Sequence, residues 1–141
     1  MSFNEKEKLA KSSFTSKDIL RELSTDEDQD IKEWVGYNPN TPVDILQALA
    51  KDKSMHIRKY VASNPSTPED VLRELATDVN WNVRFYVAEN SKASDKLLVR
   101  ILDYEKSLTN PDSDVIRSLY ANPKLPYIAK VIIETLFGSR L

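Results

Sequence analysis

The 141-residue chain has no cysteine, one histidine and two glycines. Without cysteine there is no disulfide framework, no thiolate metal site, no iron–sulfur cluster and no cysteine nucleophile. His56 alone cannot build a zinc site of several imidazoles, and a Ser-His-Asp triad would have to use it. Gly36 and Gly138 lie too far apart for a glycine-rich loop that cradles phosphate. No apolar run approaches the roughly 20 residues that span a bilayer. The first residues, MSFNEKEKLAKSSF, lack the apolar core of a secretory signal, so the expected location is cytoplasmic. The net charge of −2 favours neither nucleic acid nor an anionic membrane as partner. No cofactor is expected.

What the chain does have is proline in a pattern. Six of its seven prolines fall in Asn38-Pro39-Asn40-Thr41-Pro42, Asn64-Pro65-Ser66-Thr67-Pro68 and Asn122-Pro123-Lys124-Leu125-Pro126. The step from Asn38 to Asn64 is 26 residues, and another 26 reaches Asn90, which opens a degraded copy, Asn90-Ser91-Lys92-Ala93-Ser94. The next step, to Asn122, is 32, so that copy carries six extra residues. Stepping back 26 from Asn38 reaches Ser12 and a first copy without its prolines. A fixed period in this range marks a solenoid. The repeats are 12–37, 38–63, 64–89 and 90–121, followed by a C-terminal cap at 122–141 and preceded by a lead-in at 1–11.

Each repeat holds two helical runs. The first reads DILREL, DILQAL, DVLREL, KLLVRI and AKVIIE; the second reads DIKEWVGY, HIRKYVAS, NVRFYVAE and DVIRSLYA. Thr41 and Thr67 are expected as N-caps with Pro42 and Pro68 at the first helical position and Asp44 and Asp70 two residues later. Thr15 and Asp18 are expected to repeat this in the first copy. Asp30, Asn82 and Asp114 are the expected caps of the second helices, which are short enough to be α or 3₁₀. Ile57, Tyr60, Val61 and their equivalents are expected to face inward, because a lone helix pair cannot bury its apolar stripe and a stack can. The fold class is all-α: a right-handed α-α (or α/3₁₀) superhelix of about four to five helix-pair repeats.

The pattern Asn-Pro-x-Thr-Pro-x-x-(Val/Ile)-Leu-x-x-Leu-Ala-x-Asp, followed by (Val/Ile)-Arg-x-x-Val-Ala, resembles the bacterial leucine-rich repeat variant family. It is similar, more distantly, to HEAT and armadillo repeats. The resemblance implies a curved stack of alternating helices used to bind other macromolecules. A known member carries an iron–sulfur cluster on a cysteine motif, and the absence of cysteine here keeps that feature from carrying over. Fold-level likeness does not by itself define function.

Two sets of residues stand out as candidate sites. Lys32, Arg58 and Arg84 recur once per repeat, and such a row can grip phosphates. Asp26, Asp52 and Asp78 recur at the same period on the preceding turn, which favours internal pairing with them. Net charge by repeat runs −3, +2, −3, 0 and +2 from residues 1–37 to 122–141, an alternation and not the sustained basic face of a helical-repeat DNA glycosylase. Nucleic acid is therefore the lesser alternative. The second set is apolar: Trp81 and Phe85, four residues apart, occupy slots that hold Met55 and Lys59 one repeat earlier and Ser113 and Arg117 one repeat later. Either the pair is a hot spot for a partner or the six extra residues fold over it.

Other features have plainer readings. Asp26, Asp28 and Asp30 alternate like a calcium loop but lack its glycine and terminal glutamate, and read as a solvated turn. His56 reads as a capping or surface residue. Trp34, Tyr60 and Tyr86 share one slot and read as a core ladder. The apolar segment Pro126–Leu136 is expected to seal the stack, the alternative being self-association of a monomer into a weak homo-oligomer. The expected function is a non-enzymatic scaffold for a protein partner, on a lateral face that carries Met55, Lys59, Trp81, Phe85 and Arg117.

Overall fold

The computed structural model describes residues 1–141 and contains ten α-helices and no strand. They are α1 (Phe3–Lys11), α2 (Lys17–Leu23), α3 (Gln29–Tyr37), α4 (Val43–Leu49), α5 (Met55–Ser63), α6 (Glu69–Leu75), α7 (Trp81–Glu89), α8 (Asp95–Ser107), α9 (Ser113–Ala121) and α10 (Tyr127–Phe137). A 3₁₀ turn, Gly138–Arg140, follows. The second helices of the repeats are α throughout. The lead-in, residues 1–11, contains α1, which packs on α3 as α3 packs on α5.

The odd-numbered helices lie flank to flank in one layer, while the even-numbered helices barely touch one another. The stack therefore bends toward the odd layer. Between the layers runs one continuous apolar core. Ile57, Val61 and Ala62 of α5 are wholly buried, as are Val83, Val87 and Ala88 of α7. Leu46 and Leu72 meet them from the even layer without exposure. Tyr60 departs from expectation: it sits at the edge of this stripe, half-buried.

Helices of seven or nine residues are marginal alone, so their ends matter as much as their faces. The turn after each odd helix is organised by asparagine. The Asn64 amide donates to the carbonyls of Gly36 (2.7 Å) and Asn38 (2.9 Å), both at the C-terminal end of α3, the preceding odd helix. Asn38 makes the same pair of bonds to Ala10 and Ser12, and Asn90 makes it to Ala62 and Asn64. Asn122 retains one of the two, to Ala88. Each side-chain oxygen then accepts the backbone N–H two residues on, at Asn40, Ser66, Lys92 and Lys124. The carbonyls that a helix C-terminus leaves without partners are thus satisfied by the next repeat. The proline after Asn38, Asn64 and Asn122 disfavours helical backbone at the asparagine and ends the helix there.

The threonines work differently from expectation. Thr15, Thr41 and Thr67 do not cap the following helix; their buried hydroxyls donate back to the carbonyls of Leu9, Val35 and Val61, each at 2.6 Å. Pro42 and Pro68 take the N-cap position itself, with no side-chain cap, which moves Asp44 and Asp70 one position along their helices. In the first copy the cap is Ser16, whose oxygen accepts from Ile19. The second helices are also capped two residues earlier than expected: Asp28, Asn80 and Asp112 accept from the N–H groups of Asp30, Asn82 and Asp114.

The six extra residues of the fourth copy form no loop. They extend its first helix, so that α8 has thirteen residues where α4 and α6 have seven. At the far end, α10 buries Ala129, Ile133 and Phe137 and leaves Tyr127, Ile128 and Leu136 in solvent, so it seals with one face only.

Close packing of the odd layer depends on a small residue at one slot: Ala10, Gly36, Ala62 and Ala88. A Cβ placed on Gly36 would lie 3.6 Å from its nearest neighbours on α5, an ordinary contact. Gly36→Ala should therefore raise stability, by up to about 1 kcal/mol, through lower chain entropy in the unfolded state. Asn64→Ala should lower it by about 2–4 kcal/mol, because two buried carbonyls lose their donor. Urea denaturation of both variants checks the contrast.

Candidate interaction face

The basic row is built into the stack. Lys32 pairs with Asp52 at 3.0 Å, Arg58 with Asp78 at 2.7 Å and Arg84 with Glu105 at 2.5 Å. Lys6, in the equivalent slot of α1, starts the series on Asp26 at 2.7 Å. The bases are paired internally, but not with the aspartates of the preceding turn: each reaches the acid of the following repeat and so ties neighbours together. Arg84 has no aspartate 26 residues beyond Asp78, because Tyr104 stands there; Glu105, in the added turns of α8, takes its place. Burial grows along the row until the side chains of Arg84 and Glu105 are 3% and 0% exposed. Arg84 also donates to the carbonyls of Asp78 and Val79, and Glu105 accepts from the Asp112 N–H. The row is therefore no free cationic stripe for a phosphate backbone.

The charges respond to these contacts. The Asp78 carboxylate holds the Arg58 guanidinium above its ordinary pKa. Asp26 and Lys6 shift apart, the acid down and the base up, chiefly through their shared hydrogen bond. At Asp52, burial pushes the carboxyl up, yet the Ser54 N–H and the Lys32 ammonium outweigh it and leave the value lowered. Asp26, Asp28 and Asp30 form a capped turn, with Asp26 accepting from Asp28 and Asp28 from Asp30. His56 is exposed on α5.

Outside the core, the odd layer presents aromatics. Trp34 and Tyr60 stack with centroids 6.4 Å apart, and Tyr37 meets both edge-on. Phe85 and Tyr86 meet edge-on at 5.4 Å. The Lys11 ammonium lies 4.1 Å from the Trp34 centroid, and that of Lys59 lies 4.6 Å from Tyr60 and 5.9 Å from Tyr86. The ladder slot of Trp34, Tyr60 and Tyr86 is thus a half-buried surface row and not core.

This row ends in a groove between α7 and α9. Its lining includes Trp81, Phe85, Tyr86, Glu89, Arg117 and Ser118. Trp81 is 41% exposed and Phe85 is half-buried, because the extra residues that were to cover them lie in α8. The structure brings Trp81, Phe85 and Arg117 together. Lys59 stands apart and reaches the groove's edge only through Tyr86. Met55 lies elsewhere, half-buried beside Lys32, Asp52 and His56. Tyr86 was the residue missed from this face; its recurrence with Trp34 and Tyr60 was the signal.

The profile of the leucine rich repeat variant family matches residues 56–80. That stretch covers most of α5, the Asn64 clamp, Thr67, α6 and the Asp78 turn, which is nearly one full repeat. It supports the resemblance carried by the Asn-Pro-x-Thr-Pro pattern, and the chain is an all-helical repeat stack. No curated protein and no solved structure gave a match. No helix is long and apolar enough to cross a membrane.

The lowered carboxylates set a pH dependence. Their contribution to stability is complete above the unfolded-chain value of about 3.9 and is lost as pH falls through the lower folded value. Melting temperature should therefore drop as pH is lowered through and below 4. Asp52→Asn keeps the acceptor for Ser54 but removes the charge, and should flatten part of that drop in thermal melts followed by circular dichroism.

Proposed function

We propose that this chain is a non-enzymatic helical-repeat scaffold that binds a protein partner on the odd-helix face, around Trp81, Phe85 and Arg117. The observation that carries the reading is an exposed aromatic cluster on a layer held rigid by interlocking side chains. Aromatic and arginine side chains supply a disproportionate share of binding energy at protein interfaces. A clamped helix layer has little freedom left to lose when a partner arrives, which lowers the entropic cost of association. The engaged state of Lys32, Arg58 and Arg84 argues against the nucleic-acid alternative. A cytoplasmic, bacterial setting is part of this proposal.

The test is the double variant Trp81→Ala with Phe85→Ala. Trp81 is exposed and Phe85 half-buried, so stability should fall by about 1–2 kcal/mol, short of the 3–5 typical of fully buried aromatics. A protein captured from host extract by the wild-type chain should be lost with this variant. It should be retained by Gln47→Ala with Glu74→Ala, which alters exposed residues of the even helices. Equal capture by both variants would overturn the reading.

A further inference from the structure

The aromatic row obeys the repeat until it reaches α9. Its slot holds Trp34, Tyr60 and Tyr86 and then Ser118. In the adjoining slot, Lys59 lies over the rings of its own and the next repeat, and the equivalent residue of α9 is Arg117. Arg117 has no ring beside it in its own repeat and pairs instead with Asp114 at 3.2 Å. Ser118 turns its hydroxyl to Glu89 and, with Ala121, leaves the α9 side of the groove small. The register thus leaves out one ring between Tyr86 and Arg117, in a groove of about 550 Å³.

We propose that this vacancy is a recognition slot for an aromatic side chain carried by the partner, next to a lysine or arginine of the same segment. The proposal rests on the protein-binding reading of the odd-helix face. An inserted ring meets Phe85 and Tyr86 as Tyr60 meets Trp34, and offers its face to Arg117 as Tyr60 does to Lys59. The rim selects the flanking charge. Glu89 and Asp114 stand against Arg117 alone among the groove's charged residues, so the surroundings are net negative and favour a basic neighbour.

The probe is the tripeptide Ac-Lys-Tyr-Lys-NH₂, titrated into the full ¹⁵N-labelled chain and read from amide and indole shifts. Shifts are expected at Trp81, Phe85 and Ser118. Binding should weaken by about fivefold or more for Ac-Lys-Leu-Lys-NH₂, the scale of an aromatic pair interaction. Ac-Glu-Tyr-Glu-NH₂ should also bind less well. Ser118→Tyr restores the ring in cis and should abolish the shifts. Equal binding of the leucine or glutamate peptide, shifts away from the groove, or unchanged binding to a folded Ser118→Tyr chain would each overturn the slot. The peptide comparison on the wild-type chain decides the matter even where Ser118→Tyr does not fold. A captured protein that is lost with the Trp81/Phe85 variant but kept by Ser118→Tyr would sink the slot and leave the face standing. Tripeptide binding without any protein lost in the Trp81/Phe85 variant would do the reverse.

Discussion

The side-chain amide of one asparagine per repeat is the contact on which the rest of this structure depends. An odd helix of nine residues ends with carbonyls that its own turn cannot satisfy. Asn38, Asn64 and Asn90 each donate twice to the end of the preceding odd helix and supply one acceptor to their own turn. One side chain therefore closes a helix end, shapes a turn and sets the distance between neighbouring repeats. An apolar core alone would allow sliding along the stack, since Ile57 and Val61 present much the same surface as Val83 and Val87. Directional bonds to named carbonyls do not.

Once that spacing is set, other positions follow. A small residue is required where one odd helix faces the next, and Ala10, Gly36, Ala62 and Ala88 supply it. The fifth copy of this slot holds Tyr120, whose hydroxyl donates to Glu134 of α10. The 3₁₀ turn of Gly138–Arg140 packs on α9. The ion pairs act at right angles to the clamp, tying Lys6, Lys32, Arg58 and Arg84 to the following repeat. The first three pairs keep some exposure and contribute modestly. The enclosed Arg84–Glu105 pair is different in kind. Its partners satisfy each other and the nearby backbone, and removal of either would strand a buried charge.

The period, the helix pairs and the internal pairing of the basic row were legible from spacing, because each recurs every 26 residues, but Glu105 lies off that period and was not legible. What spacing concealed was direction. Thr41 is a good N-cap by type, but Pro42 already has the extended backbone of a cap, and the buried hydroxyl faces Val35 instead. Asp30 and Asp28 both suit a helix start, and only the turn made by Asp26 shows which is the cap. Lys32 has acids before and after it in sequence, and the rise of the stack decides for the later one. Tyr60 was misplaced because a periodic pattern sorts residues into inside and outside, whereas the flank of a helix in the odd layer has an edge that is both. The extra six residues offered a cover for Trp81 and Phe85 only because a lengthened helix and an insertion look alike when counted.

These constraints also explain why the face could vary without harm to the fold. Clamp, small slot and ion pairs use the asparagines, the buried flank of each odd helix and the residues that point along the stack. None of them uses the outward slots of Met55, Lys59, Trp81, Phe85 and Arg117, whose contents differ in every repeat. The outward row is thereby free of the structural demands that hold the rest of the repeat to its pattern. Where aromatics accumulate in such a row, Phe85 packs partly against the core, whereas Trp81 remains 41% exposed. An unsatisfied apolar surface is a standing cost in water unless something covers it. On a scaffold whose spacing is already fixed by directional bonds, the partner proposed for this face would remove that cost by covering the exposed Trp81.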